Sequence, residues 1–184
     1  MRKYWNRFQA IDANRILALA AVFVSVCALY VSIQEMRLMR QQQKVSFYPH
    51  LALGRHYSEE GFSLYIKNSG TGLALVNSVQ LTNGERYFTD WPEVIAHYMP
   101  DSLAFGYDHL SSSTINEEVL TPGEEVRLFA VKWRPGVREF EEEARELTMR
   151  ICYSSLLDDH WVLENETRWQ EEQACVKVPE KEFY

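Results

Sequence analysis

The chain begins with one long apolar run and then changes to short apolar stretches separated by turn residues. The run is Ile16–Ile33, which contains no charged residue, no Gly and no Pro. As a helix it would span about 27 Å, close to the hydrocarbon thickness of a bilayer. A cleaved signal peptide has a shorter apolar region followed by small residues, whereas Gln34–Arg37 follow here and continue the helical pattern. We therefore expect a single transmembrane helix over residues 16–33.

The same helix is expected to continue as a juxtamembrane stalk over residues 34–46. This segment consists mainly of good helix formers, and the first helix-breaking residue after it is Pro49. A flexible linker would contain Gly, Ser or Pro between Gln34 and Lys44, and none occurs there. Residues 1–15, before the helix, are basic and contain three aromatic residues suited to a membrane interface, Tyr4, Trp5 and Phe8.

Small residues recur along one side of the apolar helix at alternating spacings of three and four. Such residues let two helix backbones approach closely, and Ser can form a hydrogen bond across the contact. The pattern predicts a seam for a partner helix, either a second copy or another membrane subunit. The alternative is that an Ala-rich composition produces the pattern by chance. The seam residues are Ala18, Ala21, Ser25, Ala28 and Ser32.

Residues 47–184 alternate between apolar and polar positions in short stretches bounded by turns such as Asn68–Gly72. Short helices are expected at Trp91–Ile95 and Gly136–Glu146, and an irregular loop at Met99–Ser113. The pattern predicts an antiparallel β-sandwich of immunoglobulin-like type with one or two short helices, preceded by the long transmembrane helix. The expected strands are Leu51–Arg55, Phe62–Lys67, Leu73–Leu81, Glu85–Phe88, Val126–Trp133, Leu147–Tyr153, Trp161–Leu163 and Ala174–Val178.

Charge is distributed unequally between the two parts. Residues 1–44 carry seven Lys or Arg and two acids, and residues 45–184 carry 12 bases and 24 acids. Four bases precede the apolar run, whereas Arg37, Arg40 and Lys44 follow it closely. The positive-inside rule therefore favours a cytoplasmic N-terminus and an exported C-terminal domain, which in a bacterium means the inner membrane and the periplasm. The overall charge of −7 argues against a nucleic-acid partner.

The chain has three cysteines, and two of them, Cys152 and Cys175, fall in predicted neighbouring strands. In an oxidising compartment they are expected to form a disulfide, with two buried thiols as the alternative. Cys27 lies within the apolar helix.

Few residue patterns in the sequence point to catalysis. Asp158–His160 is interpreted as a polar hairpin turn, since three adjacent residues rarely bind one metal ion. Glu139–Glu143 is interpreted as a solvated charged surface, with a surface for a cation or a basic partner as the alternative. We expect no enzyme activity, cofactor or metal. The expected function is a membrane-anchored protein-interaction module of the cell envelope. The alternative is a small accessory subunit that contacts a larger membrane complex through its helix.

Four segments carry a resemblance to a known group of proteins. They are the basic stalk Arg37–Lys44, the strand Phe47–Leu51, the strand-turn-strand Ile66–Val76 and the segment Ile151–Trp161. These resemble a group of small uncharacterised bacterial single-pass membrane proteins. The resemblance implies an N-terminal transmembrane helix and an immunoglobulin-like β-domain, without a known activity. Ser154 and His160 stand where that group often has cysteine, so no cysteine-rich metal site is implied.

Overall fold

The computed structural model describes residues 13–99, 110–166 and 168–184. Most of the expected basic segment 1–15 and of the expected loop Met99–Ser113 therefore lies outside the described residues. The chain divides into two compact units, a helical unit up to Lys44 and a β unit that begins at Val45.

The helical unit is dominated by α1 (Ala13–Ser46), an uninterrupted helix of 34 residues. It includes both the apolar residues 16–33 and the polar residues 34–46, because good helix formers follow the apolar run without a breaker. Pro49 follows shortly after its end and cannot continue a helix. The helix is long and apolar enough to cross a membrane, and none of its most apolar window is buried.

The described part of the β unit forms ten strands, and all their pairings are antiparallel. In chain order they are β1 (Leu51–Tyr57), β2 (Gly61–Asn68), β3 (Ala74–Thr82), β4 (Tyr87–Phe88), β5 (Leu110–Ser112), β6 (Val119–Leu120), β7 (Glu125–Lys132), β8 (Thr148–Ser154), β9 (His160–Glu164) and β10 (Arg168–Glu172). The first sheet has the order β1-β2-β7-β5, and the second has the order β10-β9-β8-β3-β4, with β6 also pairing with β3.

Two short helices accompany the sheets, α2 (Trp91–Tyr98) and α3 (Val137–Ala144). The start of α2 follows from local chemistry: the Asp90 carboxylate accepts a hydrogen bond from the Glu93 backbone N–H at 2.7 Å, and Pro92 occupies the first turn. A 3-10 turn at Pro179–Lys181 lies near the C-terminus.

One expected strand is absent, and strands occur where none was expected. Ala174–Val178 is not a strand, although four of its five residues are apolar, because its backbone joins no ladder. The last strand is instead β10, whose sequence Arg-Trp-Gln-Glu-Glu is too polar to be recognised by periodicity. Within the expected loop Met99–Ser113, Leu110–Ser112 forms β5 and pairs with β7.

In the described part of the β unit, one apolar core draws on both sheets and on both short helices. The first sheet contributes side chains such as Leu53 and Phe129, and the second contributes side chains such as Leu81 and Ile151. Trp91 of α2 and Phe140 of α3 belong to the same cluster. The two sheets therefore form one folded body with the short helices. Its largest fully buried side chains include Tyr153, Phe88, Phe129, Phe140, Leu51, Ile66, Leu81, Ile115, Leu120 and Ile151.

Candidate functional site

The five small residues of the predicted seam all lie on α1, and all are exposed. Ser25 donates a hydrogen bond from its hydroxyl to the carbonyl oxygen of Ala21 at 2.8 Å. Its proton is thus used within the helix, and across a helix contact Ser25 would act as an acceptor. Any association along this face would rest mainly on close packing of the Ala and Ser side chains.

Four aromatic rings meet where the chain enters the β unit. Tyr48 packs edge-on against Trp161, with ring centroids 5.4 Å apart, and against Trp169 at 6.2 Å. His50 lies 6.0 Å from Trp169, and the Trp161 and Trp169 rings stack at 6.3 Å. We call these four residues the aromatic cluster. Trp161 is buried, whereas Trp169 is 36% exposed, so the cluster presents one large ring to solvent.

The strand register explains why these rings meet. Tyr153 pairs with Trp161, and Trp169 lies diagonal to Trp161 on the adjacent strand. Successive residues of a strand alternate between faces, so these three side chains share one face of the second sheet. The Trp169 ring nitrogen donates a hydrogen bond to the Tyr153 hydroxyl at 2.6 Å, which fixes the orientation of the exposed indole. Burial raises the pKa of Tyr153 to about 12, so this acceptor stays neutral at physiological pH.

The turn Asn68–Gly72 holds the segment that supplies Tyr48 and His50. Backbone N–H groups of Thr71 and Gly72 donate to the Tyr48 carbonyl at 2.8 and 3.1 Å, and Ser69 N–H donates to the His50 carbonyl at 2.7 Å. A Cβ added at Gly72 would stand 2.1 Å from the Phe47 carbonyl oxygen, so a larger residue would displace the segment. The glycines of this turn therefore serve close backbone packing.

Asn68 is the centre of this arrangement and is fully buried. Its side-chain oxygen accepts from the His50 and Gly70 backbone N–H groups at 3.2 and 3.0 Å. Its side-chain nitrogen donates to the Gly72 and Leu120 carbonyls at 2.8 and 3.0 Å. All its hydrogen-bonding capacity is directed at backbone groups, which ties the entering segment to β2 and β6.

The two cysteines named from the sequence are bonded in the structure. Cys152 of β8 and Cys175 form a disulfide with their Cα atoms 5.7 Å apart. Cys175 lies in the irregular segment after β10, so the bond fastens that segment to the second sheet. Cys27 is a free, exposed thiol on α1.

Asp158, Asp159 and His160 lie at the turn between β8 and β9. Asp158 adopts a positive φ of 63°, and its carboxylate lies 3.5 Å from the His160 ring. The Ser155 hydroxyl accepts hydrogen bonds from the Leu157 and Asp159 N–H groups, which is the chemistry of a tight turn. Within the described ranges, no group of three His, Cys, Asp or Glu side chains is arranged to hold a metal ion.

A buried carboxylate on α3 was not anticipated from the sequence. Glu141 is 6% exposed and accepts hydrogen bonds from the Tyr57 hydroxyl at 2.7 Å and from two nitrogens of Arg145 at 2.8 and 2.9 Å. The Arg145 hydrogen bonds hold the pKa of Glu141 below its usual value, although burial opposes this. Burial and the hydrogen bond to Glu141 raise the pKa of Tyr57.

The spacing of apolar residues around Glu141 indicates that this position faces the core. Val137, Phe140 and Ala144 define the inward face of the helix, and Glu141 falls on that face four residues after Val137. The interpretation of Glu139–Glu143 as a uniformly solvated run is therefore wrong at Glu141. Its neighbours Glu139, Glu142 and Glu143 are not buried.

Residues 15–174 match the model of a family described as a domain of unknown function, DUF8453. No curated protein and no solved structure matches the chain. The matched range includes most of α1 and the strands of both sheets, and it ends one residue before Cys175. The chain therefore belongs to the DUF8453 family, and the family domain covers both the apolar helix and the β unit.

Proposed function

We propose that this protein is a single-pass membrane protein whose β unit, an immunoglobulin-like sandwich, binds a protein partner in the cell envelope. The observation that carries the membrane part of the proposal is the exposed apolar surface of α1. Leu17 and Phe23 are 71% and 70% exposed, and none of the most apolar window is buried. Such a surface is unfavourable in water and needs lipid or other helices to cover it.

The orientation follows from the charges on either side of the apolar run. Four Lys or Arg residues precede the run and three follow it closely, so the positive-inside rule favours a cytoplasmic N-terminus and an exported β unit by a small margin. In a bacterium this means the inner membrane with the β unit in the periplasm. A periplasm-active reporter fused after Tyr184 should be active, and a cytoplasm-active reporter at the same place should not. The reverse pattern would overturn the orientation.

The proposed contact surface is the exposed side of the aromatic cluster. Trp and Tyr supply large contact areas at protein interfaces and are enriched among the residues that dominate binding energy. Trp169 offers such a ring on β10, an edge strand of the second sheet, and its indole is already oriented by Tyr153. Binding would therefore require little ordering of this side chain, which favours affinity.

A photo-crosslinking amino acid placed at Trp169 tests the contact surface in intact membranes. Tyr87 is the matched control, because it is also aromatic, is 38% exposed and lies on β4 at the opposite edge of the same sheet. We expect a discrete crosslinked product from position 169 and none from position 87. Equal products from both positions, or none from position 169, would contradict the proposed surface.

The seam of α1 supports a second candidate, an accessory subunit that contacts a larger membrane complex or another copy through its helix. Replacing Ala21, Ser25 and Ala28 by Leu keeps the helix apolar and blocks close approach along the seam. Ala20→Leu adds bulk on the other side as the control. Association measured by a membrane two-hybrid assay should fall for the seam variant and persist for Ala20→Leu. Equal association in both would leave α1 as an anchor only.

A further inference from the structure

A carboxylate stands beside the exposed ring of the aromatic cluster. Glu171 lies two residues after Trp169 on β10 and pairs in register with Trp161 of β9. Side chains two residues apart on a strand point to the same face, with their Cβ atoms about 7 Å apart. Glu171 is exposed, and Trp169 is 36% exposed. The indole of Trp169 and the carboxylate of Glu171 are therefore neighbours on one solvent-accessible surface.

The Glu171 carboxylate also acts on Tyr48. Burial raises the pKa of Tyr48, and the negative charge of Glu171 raises it further. An electrostatic effect of this kind needs the carboxylate to lie close to the phenol, so Glu171 borders Tyr48 as well as Trp169. Tyr48 stays neutral at physiological pH, and Glu171 supplies the negative charge beside the two rings.

This charge is not paired within the described part of the chain. Two nearby acids have partners, since Glu172 lies 3.7 Å from Arg150 and Glu166 lies 3.0 Å from Arg55. Glu171, in contrast, forms no ion pair with a described side chain. Its carboxylate is therefore available to a cation from another molecule.

The rings of the cluster likewise have no cation over them. Within the described ranges, no Lys or Arg side chain lies over a ring of the aromatic cluster. The β unit does make such a contact elsewhere, where the Arg138 guanidinium lies 5.3 Å from the centre of the Trp133 ring. The π system of an aromatic ring attracts a cation placed over its face, and Trp is the strongest such partner. Trp169 therefore offers a surface of the same kind that no described cation uses.

A guanidinium group matches this indole and carboxylate better than an ammonium group does. It is planar and stacks on an indole, and its fork of N–H donors matches the two oxygens of a carboxylate. The β unit carries 12 bases and 24 acids, so its overall charge also favours a basic partner. We propose that Trp169 and Glu171 together bind an arginine side chain of the protein partner. This inference rests on the proposed function, because it specifies the chemistry of the partner at the same surface.

Fluorine NMR of the full chain, labelled with 5-fluorotryptophan in phosphatidylcholine nanodiscs, tests the site with acetyl-Gly-Arg-Gly-amide as the probe. We expect this peptide to shift the Trp169 resonance in a saturable way and to leave the resonance of Trp133, which Arg138 already covers, in place. The same peptide with lysine should bind about threefold more weakly. The peptide with citrulline, which has the shape of arginine without its charge, should give no saturable shift. Equal binding of the three peptides, or no shift at Trp169, would overturn the proposal.

Two charge-matched variants test the role of Glu171. Glu171→Gln removes the charge beside Trp169 and should weaken binding of the arginine peptide about threefold, the effect of one exposed ion pair. Glu172→Gln removes the same charge from the next residue of β10, which points to the other face and pairs with Arg150, so binding should be unchanged. An equal loss in both variants would assign the binding to the general negative charge of the β unit and overturn the role of Glu171.

The crosslinking experiment at position 169 separates this inference from the proposed function. A discrete crosslinked product together with unselective peptide binding supports the contact surface and overturns the arginine assignment. Selective peptide binding without a crosslinked product supports arginine recognition by Trp169 and Glu171 and contradicts the proposed protein partner.

Discussion

Replacing Asn68 by Asp changes one group at the centre of the turn that holds the aromatic cluster. The side-chain oxygen that accepts from His50 and Gly70 is retained. The nitrogen that donates to the Gly72 and Leu120 carbonyls, at 2.8 and 3.0 Å, becomes a second oxygen facing two acceptors. The substitution therefore preserves size and shape but reverses the hydrogen-bonding character of one atom.

The expected cost follows from the contacts that Asn68 makes. Two carbonyl groups lose their donor, and a buried group left without its partner costs about 1–3 kcal/mol. We expect Asn68→Asp to lower the free energy of unfolding by about 3 kcal/mol at neutral pH. Burial raises the folded-state pKa of the introduced carboxyl above its unfolded value of about 3.9. The cost is therefore complete above the folded-state pKa and shrinks as the pH falls through it.

Denaturant unfolding of the full chain in mild detergent, followed by tryptophan fluorescence, measures this effect across pH. Asn83→Asp is the matched control. The Asn83 side-chain oxygen accepts from the backbone N–H groups of Glu85 and Arg86, and its side-chain nitrogen has no hydrogen-bond acceptor among the described residues. The control should change the stability by less than about 0.5 kcal/mol. The reasoning would be refuted if the two variants cost the same, or if the cost of Asn68→Asp did not depend on pH.

Two further changes probe the disulfide and the buried carboxylate. Mass spectrometry of non-reduced peptides should find Cys152 joined to Cys175, and two freely alkylated thiols in fresh protein would contradict the bond. Replacing both cysteines by Ser should lower the free energy of unfolding by about 3 kcal/mol. Glu141→Gln should lower the free energy of unfolding by about 1–2 kcal/mol at neutral pH, because it weakens the hydrogen bonds with Tyr57 and Arg145. Because the folded-state pKa of Glu141 is lowered, this difference should hold above about pH 5 and shrink as the pH falls below about 4; a constant difference would contradict it.

Elements with strong periodicity or clear turn chemistry could be predicted from the sequence. The apolar run ending at Ile33 has the length and composition of a membrane-crossing helix, and the Asn68–Gly72 turn separates two strands as expected. Asp90 and Pro92 mark the start of α2. In each case the signal lies within a few neighbouring residues, so local physics is sufficient.

The errors occur where distant contacts decide the structure. Ala174–Val178 has the apolar composition of a strand, but the Cys175 disulfide and the Lys177 contact with Glu117 fasten this segment without a ladder. Strand β10 is polar except for Trp169, and its pairing with β9 defines it. Neither relation can be obtained from local periodicity.

The candidate sites also depend on contacts between distant segments more than on local sequence signals. The two cysteines were named because they fell in predicted neighbouring strands, although only Cys152 lies in a strand. The aromatic cluster depends on the register of three strands and on the Asn68 turn, which no single segment encodes. That the Trp91 ring N–H has no acceptor among the described residues becomes evident only when the neighbours of Trp91 are known.

Alkaline carbonate extraction of cells that express the full chain tests most directly whether α1 is a membrane anchor. We expect a 21.6 kDa product that remains with the membranes after extraction. Val24→Arg combined with Leu29→Arg places two charges in the apolar run and should release the protein to the soluble fraction. A parent protein found in the soluble fraction, or shortened by removal of the apolar run, would contradict the membrane anchor.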